Sequence, residues 1–215
     1  MARAHPQLIH ARLDTLHPTQ LTVGLAEVNA KRQMWQQLKR KARAAALEDH
    51  WFPCVLGPKQ RYYIVDHHHF GMALLQEGVK EVPLLVLKDL SFVEPDSFWE
   101  VMAFNQWAHP YDAQGVRRSF ERIPARILDL QDDPYRSLAG VLRRAGGFAK
   151  DATPFSEFLW ADFFRRRIDS QALGRLGAKV QARAMKLARS QDARYLPGWV
   201  TVPYTHLPLP PPPHV

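Results

Sequence analysis

An aspartate followed by three histidines, Asp66-His67-His68-His69, interrupts an otherwise apolar stretch running from Arg61 to Gly78, RYYIVDHHHFGMALLQEG. One carboxylate beside several imidazoles can move protons, fix a ring tautomer, bind a metal through neutral ring nitrogens, or donate to phosphate oxygens. Asp66 and His68 are therefore candidates for proton transfer, and Asp66 is also a candidate metal ligand. His67, His68 and His69 are candidates for holding phosphate. Three consecutive side chains cannot all point one way, so His67 and His69 are expected to diverge from His68. The ordinary alternative is that one histidine caps a helix, one is solvated, and Asp66 is the N-cap.

The flanking residues say what positions this group. Residues 61–65 are aromatic and β-branched, the pattern of a buried strand. Phe70, Ala73, Leu74 and Glu77 fall at helical spacing, and Gly78 is placed to end that helix. A strand thus runs directly into a helix, and the joint exposes backbone N–H groups suited to an anion. Upstream, Leu8, Ile9, Leu13 and Leu16 suggest a short strand, His17-Pro18-Thr19-Gln20 a turn, and Leu21 to Gly24 a second extended piece. An amphipathic helix is expected over about residues 30–47, preceded by Glu27 and Lys31. Residues 51–56 pair with 61–65 as a hairpin through Gly57-Pro58-Lys59-Gln60, and residues 82–87 form a further strand.

From Pro95 onward helices are expected at 96–107, 115–130, 134–145, 155–168 and 171–189. The cluster Phe155, Phe158, Leu159, Trp160, Phe163 and Phe164 is too apolar for a solvated helix and reads as core. The fold class is α+β: a small mixed-sheet unit at 1–94, a helical extension packed on it at 95–192, and a Pro-rich tail at 193–215, expected to be polyproline-like.

Composition narrows the classes. With 46% apolar residues among 215, the chain can bury a core. No segment approaches the roughly 18 apolar residues of a membrane span, so no membrane partner is expected. The single cysteine, Cys54, excludes an intramolecular disulfide and a multi-cysteine zinc site, in keeping with a reducing cytoplasm. The net charge of +8 is uneven: residues 50–164 hold 12 Lys/Arg against 15 Asp/Glu, whereas residues 165–194 hold 9 against 2. Arg175, Lys179, Arg183 and Lys186 form a stripe able to track phosphates weakly and without sequence preference, although such a face is most often simply solvated.

The segments LHPTQLTVGLAEVNAK, YYIVDHHHFGMAL, DPYRSLAGVLRRAGGF and PFSEFLWADFFRRR, in this order across residues 8–168, resemble the ParB/sulfiredoxin superfamily and most closely its ParB-like nuclease group. In that superfamily the strand-to-helix turn cradles nucleotide phosphates, and members that resemble free-serine kinases carry Asp-Gly-His-His-Arg there. Here His67 stands at the glycine and Phe70 at the arginine. The first change restricts the approach of backbone to phosphate, and the second removes a bidentate clamp. The resemblance also implies a catalytic role for Glu27, with Lys31 four residues on at the spacing of an ion pair or of a phosphate contact. An ordinary first-turn glutamate is the plain alternative. Sulfiredoxin chemistry requires a cysteine in the turn, which Cys54 does not supply.

The resemblance implies a nucleotide-dependent phosphotransferase or nucleotide hydrolase, using Mg²⁺ with ATP or ADP. The alternatives are a ParB-like nuclease or non-specific nucleic-acid-binding protein, and an inactive interaction module.

Overall fold

The computed structural model describes residues 7–174 and 176–200; Arg175 and the proline-rich end of the chain lie outside the described residues. Contacts divide the chain into two compact units, 1–134 and 135–215, and residues 95–134 group with the sheet.

The first unit is built on a four-stranded mixed sheet. β1 (Gln7–Arg12) pairs antiparallel with β5 (Glu81–Asp89), β5 runs parallel to β3 (Phe52–Gly57), and β3 forms the expected hairpin with β4 (Arg61–Ile64). Leu13, Phe52, Ile64, Leu74, Val82 and Leu84 are buried together as its core. Four helices accompany the sheet: α1 (Leu25–Gln37), α2 (Arg40–Glu48), α3 (His68–Gln76) and α4 (Pro95–Phe104). A small parallel ribbon joins β2 (Thr22–Val23) to β6 (Gln131–Asp132).

Two expected helices of this unit differ. The helix read over 30–47 is two helices, because Leu38 and Lys39 are extended and the Arg43 guanidinium donates back to the carbonyls of Trp35 and Gln36, closing the end of α1. α1 also begins earlier, so Glu27 and Lys31 lie inside it rather than ahead of it. The helix read over 115–130 does not form. Asp112 accepts the N–H groups of Gln114 and Val116, and Pro124 has no N–H to continue a helix. Short 3-10 turns at Phe120–Arg122 and Ile127–Asp129 stand there instead.

The second unit contains α5 (Pro134–Arg144), which starts at the junction, α6 (Ser156–Arg165) and α7 (Ala178–Ala188). α7 is shorter than the expected 171–189 because Ser170–Leu173 forms a 3-10 turn. Trp160, Phe163, Phe164, Leu138 and Leu142 are buried, and Phe148 stacks on Trp160 at 4.1 Å, so the second half of the apolar run is core as expected, whereas Phe155 and Phe158 are half-buried and Leu159 is exposed. Residues 145–155 separate α5 from α6, far more than the ~3 to 4 residues of a helix-turn-helix.

Candidate functional site

Two helices begin at one end of the first unit. The Gly24 N–H, at the start of α1, donates to His69 Nε2 at 2.9 Å. Near the other end, Arg32 Nε and Gln36 Nε2 both donate to Glu77 Oε1, each at 2.9 Å. The Gly24–His69 and Arg32–Glu77 contacts share an offset of 45 residues, so α1 and α3 run parallel with their N-termini side by side. Parallel alignment places two partial positive charges together, a focus that attracts anionic groups. Two carboxylates already answer it: Asp132 Oδ1 accepts the Leu25 N–H at 2.8 Å, and Asp66 Oδ1 accepts the His67 N–H at 2.6 Å.

The three histidines go three ways. His67 adopts φ 65°, the left-handed region that glycine enters freely and that adds roughly 1–2 kcal/mol for a residue with a Cβ. Its ring packs edge-on against Phe52 at 5.6 Å and near His50 at 6.2 Å. His68 opens α3 and is buried; its Nε2 accepts the Thr19 N–H at 3.1 Å, and the Thr19 hydroxyl donates to the Ile64 carbonyl at 2.9 Å. His69 Nε2 accepts the Gly24 N–H. A ring nitrogen that accepts a backbone N–H carries no proton, so these bonds assign both rings as Nδ1–H tautomers. His68 and His69 thereby tie the start of α3 to residues 19–24. The expected divergence is present, and Asp66, which is exposed, bonds the His67 backbone.

Glu27 is buried one turn into α1 and is 3.7 Å from Lys31 Nζ, the anticipated i, i+4 pair. Lys31 also lies 6.0 Å from the centre of the Phe70 ring, so a cation stands beside the position where the related motif has arginine. Thr19, Gln20, Thr22 and Asp133 are buried around the same segment. Asp133 donates its N–H to the Val23 carbonyl at 2.8 Å. Gln20 Nε2 is buried with no hydrogen-bond partner among the described residues, a donor whose isolation costs about 1–3 kcal/mol unless a ligand or water meets it. Sequence reading missed Gln20, Asp132 and Asp133. Asp132 and Asp133, just before and at the start of the DPYRS segment, reach Leu25 of α1 and Val23 of β2 respectively from more than a hundred residues away, with no local signal.

Among the described residues no group of three or more His, Cys, Asp or Glu is arranged to hold a metal ion. Mg²⁺ bound with substrate phosphates needs only one or two carboxylates, a requirement Asp66 fits. Cys54 is buried in β3 and burial pushes its thiol up to about 12, which removes it as a nucleophile. In the second unit Lys179, Arg183 and Lys186 are exposed on α7, with Arg183 Nη2 donating to the Arg167 carbonyl at 2.8 Å. Arg175, the fourth member of the expected stripe, lies outside the described residues.

A family model described as "Putative ParB-like nuclease" matches residues 9–166, a span that contains the histidine turn, the 17–24 segment and β6. The chain belongs to the ParB-like nuclease family. Protein Atu1540 from Agrobacterium tumefaciens has a similar crystal structure, with a TM-score of 0.85 and 48% sequence identity, covering 92% of this chain and 100% of that one. No curated protein matches. The α+β class expected from sequence is the fold observed, and the match within the superfamily is to its nuclease group. No helix among the described residues is long and apolar enough to cross a membrane.

Proposed function

We propose that this ParB-like nuclease family member hydrolyses phosphodiesters of nucleic acid, with the reaction at the shared N-terminal end of α1 and α3. The observation that carries this reading is the parallel pairing of those helices, which gathers exposed Asp66 and buried Glu27, His68 and Asp133 around one positively polarised end. Burying ionisable groups is unfavourable unless they are paired or used, and this cluster has little packing value. In the proposed reaction a carboxylate, Asp66 or Glu27, takes a proton from water, whose oxygen attacks phosphorus as the bond to the leaving oxygen breaks, and that oxygen picks up a proton from solvent to leave as the alcohol. Lys31 and the positive polarisation of the two helix ends hold the phosphoryl oxygens, while His68 and His69 fix the turn. Mg²⁺ at Asp66 would neutralise charge on the phosphate.

Incubation of single-stranded DNA, duplex DNA and RNA with the purified chain and Mg²⁺ or Mn²⁺ tests this reading. Cleavage is expected, and Asp66→Asn should reduce it with the thermal midpoint retained. Cleavage of none of the three substrates by a folded chain would sink the proposal.

A second reading, nucleotide-dependent phosphotransfer with ATP or ADP and Mg²⁺, is supported by two details. His67 keeps a left-handed backbone at the position where the kinase-like motif has glycine, and Lys31 stands at Phe70. Calorimetric titration with nucleotides separates the two readings, since heat without nucleic-acid cleavage favours phosphotransfer. Weak, sequence-independent binding of nucleic acid by α7 belongs to the first reading and should vanish near physiological salt. A cytoplasmic location fits both.

A further inference from the structure

Beside the histidine turn a set of rings reaches the surface. His50, between α2 and β3, is exposed, and His67 and Phe70, either side of the first residues of α3, are half-buried. The His50 ring centre lies 6.2 Å from that of His67 and 5.6 Å from that of Phe70, with interplanar angles of 64° and 58°, so His50 meets both rings at a steep angle and stacks on neither. Two buried rings back the set: Phe52 lies 5.6 Å from His67 and 6.0 Å from Phe70, and Trp35 lies 6.3 Å from Phe70. His50 Nδ1–H donates to the Ala46 carbonyl at 2.9 Å, which orients that ring although it is exposed.

Observed contacts join these rings to the proposed reaction on two sides. His67 follows Asp66 directly, and its N–H donates to that carboxylate at 2.6 Å. Lys31 Nζ stands 3.7 Å from Glu27 Oε1 and 6.0 Å from the centre of the Phe70 ring, so one ammonium lies between the carboxylate and the rings. The backbone at His67 adds a separate observation. Glycine would adopt φ 65° without strain, so what histidine adds at this position is its ring. A ligand suited to this surface brings a flat π face to the rings and an anion to the ammonium and the two helix ends, and a nucleotide brings both.

We propose that His50, His67 and Phe70 form a stacking site for an unpaired nucleobase of a nucleic-acid strand whose phosphate lies at the paired ends of α1 and α3. The proposal rests on the nuclease reading and adds to it a preference for single strands. Inside a duplex the faces of a base are covered by its neighbours, so a base reaches these rings from a single strand or by leaving the stack at a cost. Stacking of this kind tolerates any sequence, because every base has a π face.

Fluorescence titration of the full chain with a labelled strand of about eight thymidines tests the site, beside an abasic strand with the same sugar–phosphate backbone and a duplex of the same length. The abasic strand is expected to bind about tenfold more weakly, the share that stacking of one base contributes. His50→Ala should weaken the thymidine strand about tenfold and leave the abasic strand unchanged, and His50→Phe, which keeps a ring, should restore binding. Equal affinity for the thymidine and abasic strands in the wild type would overturn the proposal, as would an equal loss for both strands in His50→Ala or no binding of any strand at low salt. Duplex bound as tightly as the single strand would overturn the unpaired base, and thymidine 5′-monophosphate bound as tightly as the strand would overturn the strand as ligand. A cleavage assay keeps the two proposals apart. A strand bound through its bases and His50 but not cut removes the nuclease reading and leaves the stacking site. A strand cut with the same KM by His50→Ala removes the stacking site and leaves the nuclease.

Discussion

In the first unit Thr19, Gln20, Thr22, Glu27, His68 and Asp133 are buried alongside the apolar core, whereas the core of the second unit is dominated by stacked and edge-on rings of Phe148, Trp160, Phe163 and Phe164. Polar groups are buried in the second unit as well, as Arg136 shows, but that guanidinium lies 3.8 Å from the centre of the Phe158 ring. The difference separates two ways of using an interior. Aromatic burial contributes stability almost wherever it is placed. Buried carboxylate and imidazole contribute little net stability, and among the described residues they are concentrated in the first unit.

The contrast can be broken by substitutions on each side. The largest effect is expected from Glu27→Gln, which keeps the size of the side chain and removes the charge. Turnover should fall by roughly 10² to 10⁴, the range of a lost acid–base group, while the thermal midpoint moves little. A variant that melts early but turns over normally when folded would assign Glu27 to structure.

Next is Trp160→Ala, which empties a fully buried site and removes an indole N–H that donates to the Pro197 carbonyl at 2.8 Å. Destabilisation of about 3–5 kcal/mol is expected from denaturant unfolding. If the second unit serves packing, KM and kcat measured well below the variant's midpoint should match the wild type.

Gly57→Ala should cost less, about 1–3 kcal/mol, by overpacking. A Cβ there would come within 2.7 Å of both the Phe98 and Tyr63 rings. Equal midpoints for variant and wild type would show that those rings move aside freely.

The smallest effect concerns pH. Burial first, and then the charge of Arg61, hold His17 below the ordinary histidine value of 6.5. As pH falls the unfolded chain takes up the proton first. The stability associated with neutral His17 is therefore complete above 6.5 and is lost as pH drops through the lower folded value. His17→Gln should flatten this acid limb, read as urea midpoints at a series of pH values. Parallel limbs in the two proteins would remove His17 as the cause.

Much of the first unit was legible because its signals are local. The hairpin of β3 and β4, the histidine turn and the helix after it are each marked by residues within a few positions. The Glu27–Lys31 pair was visible from its spacing alone. The helix expected at 115–130 failed because its apolar spacing carried no sign that Asp112 would capture the N–H groups of Gln114 and Val116 or that Pro124 would stop propagation. The start of α1 was misplaced for a related reason, since Asp132 caps it across 107 residues. The roles of His68 and His69 shifted in the same way. As free residues they suggest phosphate donors, but in the structure their Nε2 atoms accept backbone N–H groups of Thr19 and Gly24.

The strand order β1-β5-β3-β4 bears on how the protein emerges from the ribosome. β5 is the last strand of this sheet to be synthesised, yet it lies between β1 and β3, pairing Ile9 with Leu84 and Phe52 with Leu84 as well. Until residues 81–89 leave the exit tunnel, β1 and the hairpin have no strand between them to pair with, and the contacts of residues 13–24 with β4 and α3 link the two. The sheet can therefore be completed only once this nine-residue segment, made after all its neighbours, enters between them.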